Sequence, residues 1–415
     1  MKRRFRWRKL GLGAGRVLAS SCGKPEPART PVAPPAVTVV GQPHAPAQRV
    51  PEARLRRREK VSPLREVSIE ESGSAGRQPP AAGSAPIDRS ARPANGSAAL
   101  AEQALAQLAG VDPTAGPLTA QQAAALNDAL QRLRAQGAAA VSTIGEFLEQ
   151  NQEIDFDAMP GGEQMEYGTL RLGLIDTLAQ IGGPGAVATA AQTLENTADP
   201  LEIALLSRIL ESEVPQQYRN AELNATREAL VQAMTREWKG GDVSPLFETL
   251  QAIGDASVLP ILKDAVGQWN YYATLALAGM PGGQGIPTLI ELAQDPAIQA
   301  LGKGDYALRP LAQAAVQYPE AARAVVEQAR LNQIPDSAWP NVVAALAGTY
   351  IQYGNQIFGS TAPAPTSSDA ELRQRLLILN DLLTVTANAP AKQLLQTAAT
   401  GIANRLSAQS PVGRP

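Results

Sequence analysis

One thiol, Cys22, and one imidazole, His44, are the whole supply of the two side chains that most often carry nucleophilic, redox and zinc chemistry near neutral pH. Both lie in the first 50 residues, so residues 97–415 contain neither. An intrachain disulfide is therefore excluded. A zinc site built on Cys and His lacks ligands. The body can hold neither a Cys nucleophile nor a Ser-His-Asp triad. Asp, Glu, Lys and Tyr remain for proton transfer. A pair of carboxylates is enough for glycoside hydrolysis, but such clefts are often lined with stacking rings, and aromatic residues are only 4% of this chain. The composition leans away from catalysis and implies no cofactor and no metal.

Three groups of residues could still recognise a ligand. The first is acidic: Glu146, Glu149, Glu153, Asp155, Asp157, Glu163 and Glu166, with no Lys or Arg between Arg134 and Arg171. Asp155 and Asp157 lack the other ligands of a calcium loop and the glycine at its sixth position. The group reads as a solvated face, or as a surface for a basic partner. The second is Trp269, Tyr271 and Tyr272, placed at a helix start. The third is Trp339, Tyr350, Tyr353 and Phe358. Trp and Tyr are favoured anchors at protein interfaces, and they serve equally well to pack one helix on another. Gly11, Gly13 and Gly15 do not make a phosphate loop, because no strand precedes them and their spacing is wrong.

The elements that must position these residues divide by charge. Residues 1–96 carry 19 Lys/Arg and 7 Asp/Glu, whereas the remainder carries 18 and 32. A basic tail, net +12, thus precedes an acidic body, net −14. Within 23–96, prolines are dense and apolar residues follow no period, so this stretch is expected to be a disordered Pro/Arg/Ser-rich linker. Arginine clusters at 2–9 and 52–60 would attract nucleic acid or an anionic membrane. With an acidic body and no nucleic-acid motif, nucleic acid is the disfavoured partner.

Residues 1–22 have a positive start, a short weakly apolar stretch and small residues before Cys22. This layout resembles a bacterial lipoprotein signal, in which that Cys is acylated. The resemblance implies lipidation at Cys22, a membrane tether and a place in the cell envelope. Arg16, which interrupts the apolar stretch, departs from the pattern, and a basic N-terminus on a cytoplasmic protein is the alternative. No run of about 20 apolar residues exists to span a bilayer.

From 97 onward the fold class is all-α. Leu126, Leu130 and Leu133 recur at helical spacing behind Thr119 and Gln122, which have the form of a capping box. Further stripes are Leu170, Leu174, Leu178; Leu372, Leu376, Leu379, Leu383; and Leu395, Ile402, Leu406. Gly and Asp-Pro pairs punctuate them. Residues 174–182 (LIDTLAQIG) align without a gap to 246–254 (LFETLQAIG), and a looser copy starts at Leu275. In each, a helix ends at Gly, and Pro260 or Pro287 then stands near the start of the next helix, where a missing N–H costs nothing.

This pattern resembles the HEAT and HEAT-like (armadillo-type) family of helical repeats, most clearly over 170–195 and 245–295. The resemblance implies an α-solenoid of antiparallel helix pairs over 97–358, which presents its surface to protein partners as a non-enzymatic scaffold. Relatives that act on bilin attachment keep open a second reading, a carboxylate-dependent lyase or hydrolase working in a groove. A linker at 359–368, a helical hairpin at 369–408 and a frayed end at 409–415 complete the expected layout. Left-handed caps are expected at Gly182, Gly254 and Gly279, and buried leucines at 174, 178, 246, 250 and 275. Partner contacts are expected from Trp269, Tyr271, Tyr272, Trp339, Glu149, Glu153, Asp155 and Asp157.

Overall fold

The computed structural model describes residues 95–112, 115–235, 238, 241–300, 304–349, 355–359 and 367–409. The tail with Cys22, the aromatic residues Tyr350 and Tyr353, most of the 359–368 linker and the end beyond 409 lie outside the described residues. Within them the chain is all-helical. Its helices are α1 (Asn95–Ala109), α2 (Ala120–Ala135), α3 (Val141–Glu149), α4 (Leu170–Ile181), α5 (Gly183–Leu194), α6 (Pro200–Glu213), α7 (Arg219–Ala233) and α8 (Ser244–Ile253). They continue with α9 (Leu259–Gly279), α10 (Ile286–Gln294), α11 (Pro296–Ala300), α12 (Gly304–Ala314), α13 (Pro319–Arg330), α14 (Trp339–Leu346), α15 (Asp369–Val385) and α16 (Ala389–Gln409). Among the described residues there is no strand, only a single isolated bridge between Asp155 and Thr169. No described helix is long and apolar enough to cross a membrane.

Local signals set the helix ends. Thr119 and Gln122 cap α2 reciprocally, each side chain taking the other residue's backbone N–H. Asp199 caps α6 by accepting from Leu201 and Glu202, with Pro200 at the first helical position. The two aligned segments fold alike. In α4, Leu174, Thr177 and Leu178 are buried and the Thr177 hydroxyl donates to the Gly173 carbonyl. In α8, Leu246, Thr249 and Leu250 are buried and Thr249 donates to Pro245.

Their caps differ from expectation. Gly182 has φ 63° but ψ −170°, which is not left-handed helix, and Gly254 sits at φ −61°, ψ 147°. At Gly254 a Cβ would run into the Leu250 carbonyl oxygen. The turn there uses glycine for its size, not its handedness. Gly279 closes α9 without a positive φ, at a place where a Cβ would meet the Gln251 side chain. Leu275 is only half-buried, and Leu277 takes the core position.

Packing follows chain order. Each helix rests mainly on helices one to three places away: α4 on α2, α5 and α6; α8 on α6, α7 and α9; α12 on α9, α10, α13 and α14. The polar segment after α6 is part of this order, because α7 packs on α6 and α8 through Leu223, Thr226, Leu230 and Ala233. At the other end, α15 and α16 pack on each other and on α13 and α14. There the buried Arg375 guanidinium donates to the last carbonyls of α14, Ala345 at 3.0 Å and Leu346 at 2.7 Å, while Glu371 holds its other edge.

Among the buried polar groups of the described residues, one carboxyl stands without a cation to hold it. Glu222 of α7 is wholly buried, and neither carboxyl oxygen has a hydrogen-bond partner. Burial, then the nearby Glu211 carboxylate, pushes it up to about 8. A carboxyl that holds its proton more tightly when folded stabilises most at low pH and loses that contribution as pH rises from the unfolded value toward 8. Denaturant midpoints of the wild type should therefore fall between pH 5 and pH 8. Glu222→Gln should flatten that fall and leave the variant the more stable of the two at pH 8.

Leu250 is inaccessible to water beneath α8. Leu250→Ala should cost about 2–5 kcal/mol in urea unfolding. Glu149→Ala, at an exposed position, should shift the same curve by less than about 0.5 kcal/mol.

Candidate functional site

The acidic group of the sequence does not form one site. Glu149 is exposed at the end of α3 and accepts from the Gln192 amide at 2.7 Å. Asp155 accepts from the Ala158 N–H at 3.0 Å, and Asp157 packs against Gly168. All three belong to, or border, the connection from α3 to α4. Phe156 pins that connection, having no exposed surface. Gly161, at φ 86°, lies so close to the Leu118 carbonyl that a side chain there has no room.

Two members meet a cation: Glu166 stands 3.8 Å from Arg134, and Glu153 borders a buried ion pair. Arg171 of α4 lies in the core and grips Glu202 of α6 through two bonds, 2.6 and 2.9 Å, while its third nitrogen donates to the Leu148 carbonyl at 2.9 Å. Thr197 donates to the same Glu202 carboxylate at 2.7 Å. Glu153 stands 3.9 Å from the Arg171 Nε. Burial and the Glu202 charge push it up to about 7, against the pull of Arg171. Arg171 is committed to Glu202, so Glu153 is left as the weaker claimant. This is a structural clamp with both oxygens of Glu202 in use. Among the described residues no group of three or more His, Cys, Asp or Glu is arranged to hold a metal ion.

The aromatic residues fare differently. Trp339 is 3% exposed, at the first turn of α14, and so presents almost no surface to a partner. Trp269, Tyr271 and Tyr272 are partly buried, and Trp269 and Tyr272 pack against the core. They occur where α9 kinks: Trp269 has the non-helical angles φ −123°, ψ 51°, which divide α9 into two helical segments, so the rings stand at the start of the second, as expected from the sequence. The kink sets Trp269 edge-on to Phe247 of α8 at 6.0 Å and stacks Tyr272 on the same ring at 5.8 Å. Tyr271 meets Tyr272 edge-on at 5.5 Å. Burial, and then the Asp242 and Glu248 charges, raise the Tyr272 phenol above its ordinary value. The result is a partly open aromatic surface with two carboxylates beside it.

A segment from far along the chain completes this surface. Gln356 and Ile357 donate their backbone N–H groups to one oxygen of Glu248, each at 2.9 Å. Asn355 donates through its side-chain amide to the Glu248 carbonyl and accepts from the Phe358 N–H at 2.8 Å. Ile357 is buried and Phe358 packs against the core. Sequence reasoning grouped Phe358 with Trp339. The structure places it instead with a turn on α8, a contact between residues more than 100 positions apart, which local patterning does not reveal.

Compared with known protein families, curated proteins and solved structures, the chain matches none.

The clamp at Arg171 yields a direct test. In carboxylate NMR, Glu153 should titrate near 7, where an ordinary glutamate does so near 4.5. Its contribution to stability is present below the ordinary value and fades as pH rises through 7. Glu202→Gln removes a repelling charge and frees Arg171, so the Glu153 midpoint should drop toward the ordinary value. An unmoved midpoint would mean that Glu202 does not govern it.

Proposed function

We propose that this chain is a non-enzymatic scaffold: a HEAT-like α-solenoid of antiparallel helix pairs that binds a protein partner along its helical surface. The observation that carries the reading is the partly buried Trp269, Tyr271 and Tyr272 cluster on α9, packed on Phe247 of α8 and beside Asp242 and Glu248. Large rings that expose part of their surface next to charged groups are what interface hot spots are made of. Packing in chain order supports the solenoid part, since stacked pairs bury each helix mainly against its sequence neighbours. The carboxylate-enzyme alternative draws less support, because Glu202 beside Glu153 is occupied by Arg171 and Thr197. For location, the residues before Cys22 support a lipid tether in the cell envelope.

The full-length protein, tagged and incubated with extract of its source cells, should retain a specific protein. Tyr272→Ala combined with Tyr271→Ala should weaken that retention at least tenfold while leaving the helical circular dichroism signal intact. Retention unaffected by the pair would remove the aromatic surface from the account. Turnover in a broad hydrolase and lyase screen, abolished by substituting a body carboxylate, would overturn the scaffold reading itself.

A further inference from the structure

The contact between α8 and residues 355–359 stands apart from the rest of the packing. Arg171 to Glu202 spans 31 positions and Arg405 to the Ala347 carbonyl spans 58. The bonds onto Glu248 span 107 to 109 and reach past α9 to α14. Neighbouring helices already bury Leu246, Phe247, Thr249, Leu250 and Ile253. What remains of α8 is the stripe with Ser244, Glu248 and Ala252, and the distant turn rests there.

The bonding is of a kind that any peptide of the right shape could supply. Glu248 takes two successive backbone N–H groups, which no substitution except proline alters. Burial raises this carboxyl, and the two N–H groups pull it back. Asn355 closes the turn on itself through Phe358, and at Gly359 a Cβ would strike the Asn355 carbonyl oxygen. The turn is thus small, self-contained and anchored by Ile357. Burial of Ile357, the packing of Phe358 against the core and three hydrogen bonds hold it in place, and Tyr272 lies near enough for the Glu248 charge to act on its phenol.

We propose that the Glu248 face of α8 is a peptide-docking site, occupied here by the chain's own 355–359 turn, and that a protein partner engages it by displacing that turn. The partner would present two consecutive backbone N–H groups to Glu248 and an aliphatic side chain in place of Ile357. This rests on the scaffold reading and adds a regulation to it: the site has a built-in competitor.

The test uses the full chain and a blocked synthetic peptide of residues 353–361 carrying a fluorophore. Ile357→Asp should expel the turn while leaving Glu248 and the rings in place. The peptide should bind that variant at least tenfold more tightly than it binds the wild type, by anisotropy. Adding Glu248→Ala should abolish the gain. Absence of binding to an Ile357→Asp protein that keeps its helical signal would overturn the proposal. Hydrogen exchange on the wild type decides the matter even if that variant fails to fold. The Gln356 and Ile357 amides should exchange at least a hundredfold faster than the Leu250 amide, which reports local release. Exchange in step with Leu250 would show the turn to be an inseparable part of the core. Peptide binding needs no natural partner, so its failure is distinct from a failure of the scaffold reading.

Discussion

Leu174, Leu178, Leu246 and Leu250 have no contact with water, and the helices that cover them are close neighbours in the chain. Everything else depends on this burial of leucine and alanine stripes by the next helices along. A single helix of ten to fifteen residues would not persist in water. Here each one is held because the helices before and after it cover its apolar side. Small residues let the layers approach, as where Gly279 of α9 comes down on Gln251 of α8. In the proposed solenoid, stability is local and additive, so a weak point loosens its surroundings before it loosens the far end.

Polar groups buried by such packing need partners, and the fold meets the need with arginine. Arg171 reaches the Leu148 carbonyl near the end of α3, and Arg375 reaches Ala345 and Leu346 at the end of α14. Each supplies further donors to carbonyls in the last turn of a helix, and each is balanced by one glutamate, Glu202 or Glu371. Removal of a glutamate from such a clamp would leave a buried cation uncompensated. Glu222 is held by no such clamp, and burial, with the Glu211 charge near it, favours its protonated form.

What sequence could reveal follows the range of the interaction. The Thr119 and Gln122 box lies three residues apart and was legible, as were the leucine stripes and the kinship of 174–182 with 246–254. Glycine marked the turns correctly but not their conformation, because Gly254 is required by the nearby Leu250 carbonyl and not by a left-handed backbone. Leu275 and Leu277 both fit a helical pattern, and only the kink at Trp269 decides which faces inward. Trp339 and Trp269 look alike in sequence, yet one is core and the other is only partly buried. The Arg171 clamp and the Glu248 turn bring together residues 31 and more than 100 positions apart. No local period encodes such pairs, so the part of the candidate site that matters most was the part least legible.

The central claim is that stability passes between neighbouring helices and not through the body as a whole. Native-state hydrogen exchange, compared residue by residue between the wild type and Leu250→Ala, tests it most directly. The account predicts faster exchange in α6, α7, α8 and α9, the helices that surround Leu250, with α1 to α3 and α15 to α16 unchanged. Equal acceleration in every helix would contradict it, because the body would then open as a single cooperative unit.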